Sequence, residues 1–376
     1  MSDVTVHGTV RAGFEPVRDA FAANFAKGLE LGAAFAAYQD NELIVDLWGG
    51  YAERTCDRPW TRDTIVPVMS TTKPIAALVA ARLVDQGRLD YEQPLSAVWP
   101  EFAAYGKERV TLGEALSHQA GVPGFVDPID PQLWLDSQGI AAALAGLAPL
   151  WPPGAVSGYH PISYGVLVGE PARRADPAGR SLGRQLAEDI CGPAQIDFHI
   201  GLDEVNHDRV ADMRRPQAMA DLGGVTPIKH AAFLARWSSP ARTSPAWRRS
   251  ELPAANGHGS ARAVAALYGV FAHEGELFGR TLMNRDVFQA ATRLRRAGHD
   301  LVLPFDLAWA AGVLRNSLGL YGPNPRSFGH SGWGGSMGLA DPDRRLSAAY
   351  VMNRQSNMLM GDPRPGALIH ALYDCF

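Results

Sequence analysis

Cysteine and lysine are both scarce in this chain of 376 residues. The three cysteines, Cys56, Cys191 and Cys375, lie far apart and form neither a C-x-x-C pair nor the spacing of a zinc site. This argues against a disulfide framework and against a cysteine-bound metal, so we expect reduced thiols and a cytoplasmic protein. Only four lysines are present, and arginine therefore supplies almost all of the positive charge.

Long apolar runs and basic clusters are also missing. The apolar segments are too short and too interrupted to cross a bilayer, so we expect no membrane partner. Met1 to Val4 shows no basic segment leading into an apolar core, which predicts that there is no signal peptide. With a formal net charge of −4 and no basic run, a nucleic-acid partner is not expected. Nothing in the sequence indicates an oligomeric state.

Motifs for metal ions and nucleotides are absent as well. His273-Glu274 lacks the second histidine of H-E-x-x-H, and the chain has no Walker A pattern and no G-x-G-x-x-G after a strand. We therefore expect an activity that needs no metal and no cofactor.

Apolar periodicity divides the chain into sheet-forming ends and a helical middle. Strand patterns occur near both termini, whereas the middle shows helical segments separated by loops rich in Pro and Gly. The predicted helices are 14–27, 76–85, 260–271 and 365–373, and the predicted strands are 33–38, 43–48, 307–314, 336–340 and 347–353. We predict an α/β (α+β) architecture: residues 1–68 and 300–376 form a sheet domain, and residues 69–299 form a mostly helical domain with the active-site loops.

The tetrapeptide Ser70-Thr71-Thr72-Lys73 carries the strongest chemical signal. Proline is tolerated in the first turn of a helix, so Pro74 predicts a helix that begins close to Ser70. Ser70 and Lys73 then share one face, with the serine at the positive end of the helix dipole. This is a plausible acyl-transfer nucleophile if its surroundings keep Lys73 neutral. The alternative is that Ser70 caps the helix and Lys73 is solvated.

Two further segments could contribute to the same site. Tyr159 lies in a loop rich in Pro and Gly, from which a tyrosine can reach a cleft and transfer a proton; it could equally be a packed aromatic residue. The segment Gly329–Gly335 is dense in glycine, which allows a backbone to approach a ligand and direct amides at it, although a turn-rich strand edge would look similar.

Together and in this order, these segments resemble the serine β-lactamase and penicillin-binding-protein superfamily, and most closely the class C β-lactamase-like carboxylesterases called family VIII esterases. The resemblance extends from about Phe14 to the C-terminal helix. It implies a β-lactamase-like fold, with an antiparallel sheet flanked by N- and C-terminal helices and an inserted, mostly helical domain. The supporting segments are Leu116–Val122, similar to L-S-H-x-x-G-L, Gln86–Asp90, similar to the turn after the nucleophile helix, and Gly257–Arg262, a variation of G-x-x-S-x-x-D.

The resemblance implies a role for each matching residue. Ser70 would be the nucleophile, Lys73 would help to remove its proton, and Tyr159 would be the proton partner. The backbone amides of Ser70 and Trp333 would form the oxyanion hole, and His330 and Gly332 would contact the substrate. The sequence leaves open whether Lys73 or Tyr159 takes the proton.

Two departures from the β-lactamase pattern bear on the substrate. Pro161 stands two residues after Tyr159, where the β-lactamases have asparagine, and His330 replaces the lysine that opens K-[TS]-G. Histidine is mostly neutral near pH 7, so the cation that would meet a β-lactam carboxylate is weakened or absent. Both changes are usual in the esterase branch and favour a neutral ester.

A second serine offers a competing interpretation. Gly334-Gly335-Ser336-Met337-Gly338 matches G-x-S-x-G, the nucleophile elbow of α/β-hydrolases. That elbow requires a helix directly after the serine, whereas the residues after Ser336 have a strand pattern. We therefore favour Ser70.

Our leading hypothesis is a serine carboxylesterase that hydrolyses small, neutral, short-chain esters through an acyl-enzyme on Ser70. The alternatives are β-lactamase or D-amino-acid amidase or peptidase activity at the same site, and a non-catalytic penicillin-binding-like protein. Phe125 and Trp134 are aromatic residues near loops, and we predict that they line the substrate cleft together with Trp333.

Overall fold

The computed structural model describes residues 4–376, so most of the segment from which we predicted the absence of a signal peptide lies outside it. The α helices are α1 Glu15–Ala26, α2 Thr72–Asp85, α3 Leu112–Leu116, α4 Ser137–Ala145, α5 Ser163–Ala175, α6 Leu182–Gln185, α7 Gly192–Ala194, α8 Pro227–Lys229, α9 Pro245–Arg249, α10 Ala261–Ala272, α11 Arg285–Thr292 and α12 Pro363–Tyr373. Two π-helical segments, Leu186–Cys191 and His230–Leu234, follow α6 and α8 directly.

The strands are β1 Val6–Val10, β2 Gly32–Gln39, β3 Glu42–Gly50, β4 Val66–Pro67, β5 Phe198–His199, β6 His258–Gly259, β7 Glu276–Leu277, β8 Arg280–Thr281, β9 Arg296–His299, β10 Asp306–Trp309, β11 Leu314–Arg315, β12 Phe328–Ser331, β13 Met337–Asp341 and β14 Leu346–Met352. Nine of them form one antiparallel sheet in the order β1-β3-β2-β14-β13-β12-β11-β10-β9. Three short strands form a second sheet in the order β4-β6-β5, beside the start of α2.

Helices cover both faces of the large sheet. α1 packs against α12 on one face, and α10 packs against β2, β13 and β14 on the other. The central strands β2 and β14 are therefore buried along most of their length, which explains why they read as continuous small apolar runs and not as alternating ones. The predicted arrangement, an antiparallel sheet flanked by N- and C-terminal helices with a mostly helical middle of the chain, is confirmed.

The terminal helices follow their sequence signals closely. In α1, Val17, Phe21 and Phe25 recur every four residues and are all buried against the sheet. Gly28, at a φ of 65°, ends the helix. At the other end of the chain, the Asp362 side chain accepts a hydrogen bond from the backbone N–H of Arg364 and caps α12.

The strands in the last third of the chain depart from the prediction. The single strand predicted at 307–314 is two strands, β10 and β11, because a tight turn with Gly312 at a φ of 88° separates them. The strands β1, β9 and β12 were not predicted. They are short, and β1 is an edge strand whose half-buried residues alternate with exposed ones.

The middle of the chain folds around α2. Almost every residue of α2 is buried, because α5, α10 and α11 all pack against it. A helix buried on all sides fixes its own N-terminus firmly, and this is the end that bears Ser70. The domain boundaries at residues 68/69 and 299/300 stay a prediction.

Candidate active site

Ser70 lies in a 3₁₀ turn, Met69–Thr71, that leads directly into α2. Met69 has a φ of 49°, a strained value for a side chain of this size. Two hydrogen bonds involving Thr72 hold the turn: its Oγ1 donates to Met69 O at 2.6 Å and accepts from Gly257 N at 3.0 Å. Strain held in this way at the residue before a reactive group is typical of functional sites.

Lys73 is fully buried beneath the serine. Its Nζ lies 3.2 Å from Ser70 Oγ, 2.8 Å from the carbonyl oxygen of Pro161 and 3.0 Å from that of Ala254. Burial holds the pKa of Lys73 well below its ordinary value. A neutral amine has two N–H donors and one lone pair, so it can donate to the two carbonyls and accept the Ser70 hydroxyl proton.

Tyr159 lies over the same amine. The ring centroid of Tyr159 is 4.6 Å from Lys73 Nζ. Burial raises the pKa of Tyr159 above its ordinary value, and the neighbouring Ser70 hydroxyl opposes this rise. The tyrosine therefore holds its proton at neutral pH, and of the two side chains Lys73 is the one suited to accept a proton.

Buried polar groups hold the Tyr159 loop in place. Asp300 Oδ1 accepts from the backbone N–H of Tyr159, Val302 and Leu303, each at 2.9 Å. His118 Nδ1 accepts from the backbone N–H of His160 at 3.1 Å, and its ring packs 4.7 Å from that of Tyr159. We did not single out Asp300 or His118 as site residues, since nothing in their local sequence indicates which loop they contact.

The turn after β12 brings Trp333 to the serine. Gly332 N–H donates to Ser336 O at 2.7 Å and Gly335 N–H donates to Gly332 O at 3.0 Å, which closes the turn. Within the described residues, neither the Trp333 amide nor the Ser70 amide donates to a protein acceptor. Both are therefore available to an oxyanion.

The C-terminal part of the chain fixes this turn from behind. Gln355 Nε2 donates to Trp333 O at 3.1 Å, and Arg364 Nη2 donates to Gly334 O at 2.8 Å. Arg364 is itself buried and pairs with Asp362 at 2.7 Å and with Glu30 at 3.3 Å. A charged network anchored in this way limits the freedom of the turn before any ligand arrives.

His330 lies in β12, buried, with its ring 6.0 Å from that of Tyr159. Burial lowers the pKa of His330 to about 3, so the imidazole is neutral at physiological pH. The residue at the position of the β-lactamase lysine thus supplies no cation. The carbonyl of Pro161, in contrast, takes a direct part in the site, because it accepts from Lys73.

A small cavity of about 40 Å³ lies beside Ser70 and is lined in part by Trp333. Phe125 and Trp134, which we predicted to line the substrate cleft, are a correction: both are buried in the core and neither lines this cavity. Their rings pack edge to face at 5.5 Å. The wall itself includes residues that we did not predict: Met69, Pro161, Ile162, Ala232, Phe233, Ser238, Ser239, Pro240, Arg242, Trp247 and Ala255.

The structure also places the other predicted substrate contacts and the competing serine. Gly332 lines a larger cavity on the far side of its turn, and His330 lines none of the cavities described. Ser336 is 1% exposed, donates to Val68 O at 2.7 Å and precedes a strand, not a helix. Ser336 therefore connects the Trp333 turn to the Ser70 turn and does not form a nucleophile elbow.

The described residues show neither a metal site nor a membrane-spanning helix. In residues 4–376, no cluster of three or more His, Cys, Asp or Glu side chains could hold a metal ion. No helix in the same part of the chain is long and apolar enough to cross a membrane.

The fold, with Ser70, Lys73 and Tyr159 close together at the N-terminal end of α2, resembles that of a β-lactamase-type hydrolase. Residues 21–372 match the β-lactamase family, and the chain belongs to it. It is 33% identical to esterase/beta-lactamase LipL of Mycobacterium tuberculosis over 371 residues, a match that covers 93% of this chain and 83% of the relative.

Two solved structures share the fold along almost the whole chain. A novel penicillin-binding protein homolog from Caulobacter crescentus has a TM-score of 0.96 and 50% identity, with 99% of this chain and 100% of the other covered. A family VIII carboxylesterase has a TM-score of 0.93 and 39% identity, with the same coverage. The chain is thus a β-lactamase-fold hydrolase with esterase and carboxylesterase relatives.

Proposed function

We propose that this protein is a serine carboxylesterase that hydrolyses small, short-chain esters through an acyl-enzyme on Ser70. The observation that carries the proposal is the position of Lys73, which is fully buried and lies within hydrogen-bond distance of the Ser70 hydroxyl. Among residues 4–376 it has no acidic partner. A buried, neutral amine at this distance is a base for a serine nucleophile.

The reaction proceeds in two halves. In acylation, Ser70 Oγ attacks the ester carbonyl while Lys73 takes the hydroxyl proton, and the amides of Ser70 and Trp333 stabilise the oxyanion. Tyr159 gives its proton to the departing alkoxide, and proton transfer from Lys73 to Tyr159 restores both groups. In deacylation, water takes the place of the alcohol, its proton passes to the same pair, and Ser70 leaves with a proton.

The part of the substrate beside Ser70 is short and neutral. A cavity of about 40 Å³ with mostly apolar walls suits a group the size of acetyl or propionyl. His330 is neutral and Lys73 is proposed to be neutral, so neither supplies a cation here, and Arg242 is the one charged residue of the cavity wall among the described residues.

The direct test compares hydrolysis of p-nitrophenyl acetate, butyrate and octanoate by wild type, Ser70→Ala and Ser336→Ala. We expect acetate and butyrate to be the better substrates, with a burst of p-nitrophenol that is lost in Ser70→Ala and retained in Ser336→Ala. A fluorophosphonate probe should label Ser70, as read by mass spectrometry of the digested protein. Full turnover by Ser70→Ala would remove Ser70 from the mechanism.

A second candidate function is hydrolysis of amides or lactams at the same site, including β-lactamase or D-amino-acid amidase activity. It is favoured by the similarity to a relative that is named both esterase and beta-lactamase. Neutral His330 weighs against it, because a β-lactam carboxylate gains no cation there. Nitrocefin hydrolysis with a kcat/KM equal to that for p-nitrophenyl acetate would place this candidate first.

A further inference from the structure

A larger groove adjoins the small cavity at Ser70. Its volume is about 600 Å³, and it shares part of its wall with that cavity. The shared residues are Met69, Ser239, Pro240, Arg242 and Trp333. A molecule with its carbonyl at Ser70 can therefore extend from the cavity into the groove without crossing the protein core.

Three arginines, Arg215, Arg236 and Arg242, line this groove, and no Asp or Glu of the described chain does. Within residues 4–376, none of the three side chains forms an ion pair or a side-chain hydrogen bond, although arginines elsewhere, such as Arg180 and Arg209, pair with carboxylates. The chain has more acidic than basic residues, 39 against 35. An uncompensated group of three cations is thus a local feature and does not follow from the overall charge.

Arg242 lies where the groove meets the small cavity. Its guanidinium carbon is 4.1 Å from the centroid of the Trp333 ring, and Trp333 also lines the cavity at Ser70. The side chain is partly buried. Burial lowers the pKa of Arg242 to about 10, and the like charge of Arg215 contributes to this. The positive charges of Arg242 and Arg215 repel each other and no carboxylate of the described chain lies between them. An anion bound between these groups would relieve that repulsion.

We propose that the groove binds a carboxylate on the substrate, so that the preferred substrate is an ester with a short neutral end and a carboxylate end. The inference rests on the proposed esterase function. The sequence led us to expect a neutral ester as substrate. The proposal keeps that expectation only for the part of the substrate that occupies the cavity beside Ser70. Guanidinium groups suit this ligand because their N–H donors match both carboxylate oxygens.

The experiment uses matched substrate pairs that differ only in charge. 4-Acetoxybenzoate and 4-acetoxybenzamide place the charge on the leaving group. Mono-4-nitrophenyl glutarate and its terminal carboxamide place the charge on the acyl group. kcat/KM is measured for each pair with wild type, Arg242→Gln and the double variant Arg215→Gln/Arg236→Gln. Arg280→Gln, an exposed arginine distant from the groove lining, is the control.

We expect wild type to prefer the carboxylate of one pair by about tenfold in kcat/KM, and each arginine variant to lose most of that preference. About 0.5 M NaCl should weaken it, whereas Arg280→Gln should preserve it. The pair that shows the preference identifies the charged end as the alcohol or the acyl part. Equal rates within both pairs, or a preference unchanged in all arginine variants, would overturn the proposal.

Failure of the esterase assignment gives a different result. If wild type hydrolyses none of these esters, calorimetric titration of the intact esters into Ser70→Ala still measures their affinity for the groove. If a carboxylate binds more tightly than its carboxamide and the arginine changes abolish the difference, carboxylate binding by the groove is supported and the esterase function is rejected. Equal binding would overturn the proposed carboxylate binding as well.

Discussion

Replacement of Lys73 by methionine tests the charge state on which the proposed chemistry depends. If Lys73 is neutral in the folded protein and charged when unfolded, unfolding binds one proton. Stability must then rise with pH in the interval between the depressed pKa of Lys73 and the ordinary lysine pKa of about 10.4. The stability that this linkage contributes is complete above the ordinary lysine pKa. It is lost as the pH falls through the pKa of Lys73 in the folded protein.

The slope follows from linkage. One proton taken up on unfolding changes the free energy of unfolding by about 1.4 kcal/mol per pH unit. Lys73→Met loses this dependence, so the wild-type advantage should grow by about that amount per unit between about pH 7.5 and 9.5. At the upper end the variant also lacks two hydrogen bonds, to the carbonyls of Pro161 and Ala254, each worth about 1 kcal/mol.

Urea unfolding of both proteins at several pH values gives the required difference. Subtraction of the two curves cancels every other group that titrates in this range, including Cys191, whose pKa burial raises to about 12. Lys27→Met, at the exposed end of α1, is the matched control and should follow the wild-type curve. A difference between wild type and Lys73→Met that does not change with pH would show that Lys73 is charged when folded, and the proposed base would be refuted.

Three further substitutions test the geometry around Ser70. Gly332→Ala should lower kcat by about a hundredfold in a steady-state ester assay, because its Cβ would lie 2.5 Å from Val68 O and displace the Trp333 amide; an unchanged kcat would contradict this. Asp300→Asn removes the charged acceptor of the Tyr159 N–H. We expect the free energy of unfolding in urea to fall by about 1–3 kcal/mol, and kcat to fall with little change in KM. A wild-type free energy of unfolding and a wild-type kcat would show that the Tyr159 loop does not need this charge. Ser336→Ala should cost about 1 kcal/mol of stability and leave fluorophosphonate labelling intact, and loss of labelling would contradict its structural role.

Local signals were sufficient for much of the fold. α1, α12, β2 and β3 were predicted within a few residues, because apolar spacing and end signals such as Gly28 act over one or two turns of chain. The strand predicted at 307–314 was wrong, since an apolar run does not reveal a turn whose residues are buried by the rest of the protein. The short strands β9 and β12 have no hydrophobic pattern of their own and exist because their neighbours in the sheet pair with them.

In the candidate site, too, local sequence predicted some features and contacts between distant residues decided the others. Pro74 predicted a helix start close to Ser70, and Ser70 and Lys73 are only three residues apart, so the sequence by itself determined that a hydroxyl and an amine share one face. The choice between an N-cap serine with a solvated lysine and a serine beside a buried amine depends on Pro161 and Ala254, which are distant in the chain.

Only the tertiary structure decided the surroundings of that pair. It placed Phe125 and Trp134 in the core, and it brought Arg215, Arg236 and Arg242 to a groove beside Trp333. Burial and charge compensation are sums over neighbours from many segments, so no single stretch of sequence specifies them. The sequence determined which reactive groups are present and close along the chain, and the packed fold determined their protonation and their access to substrate.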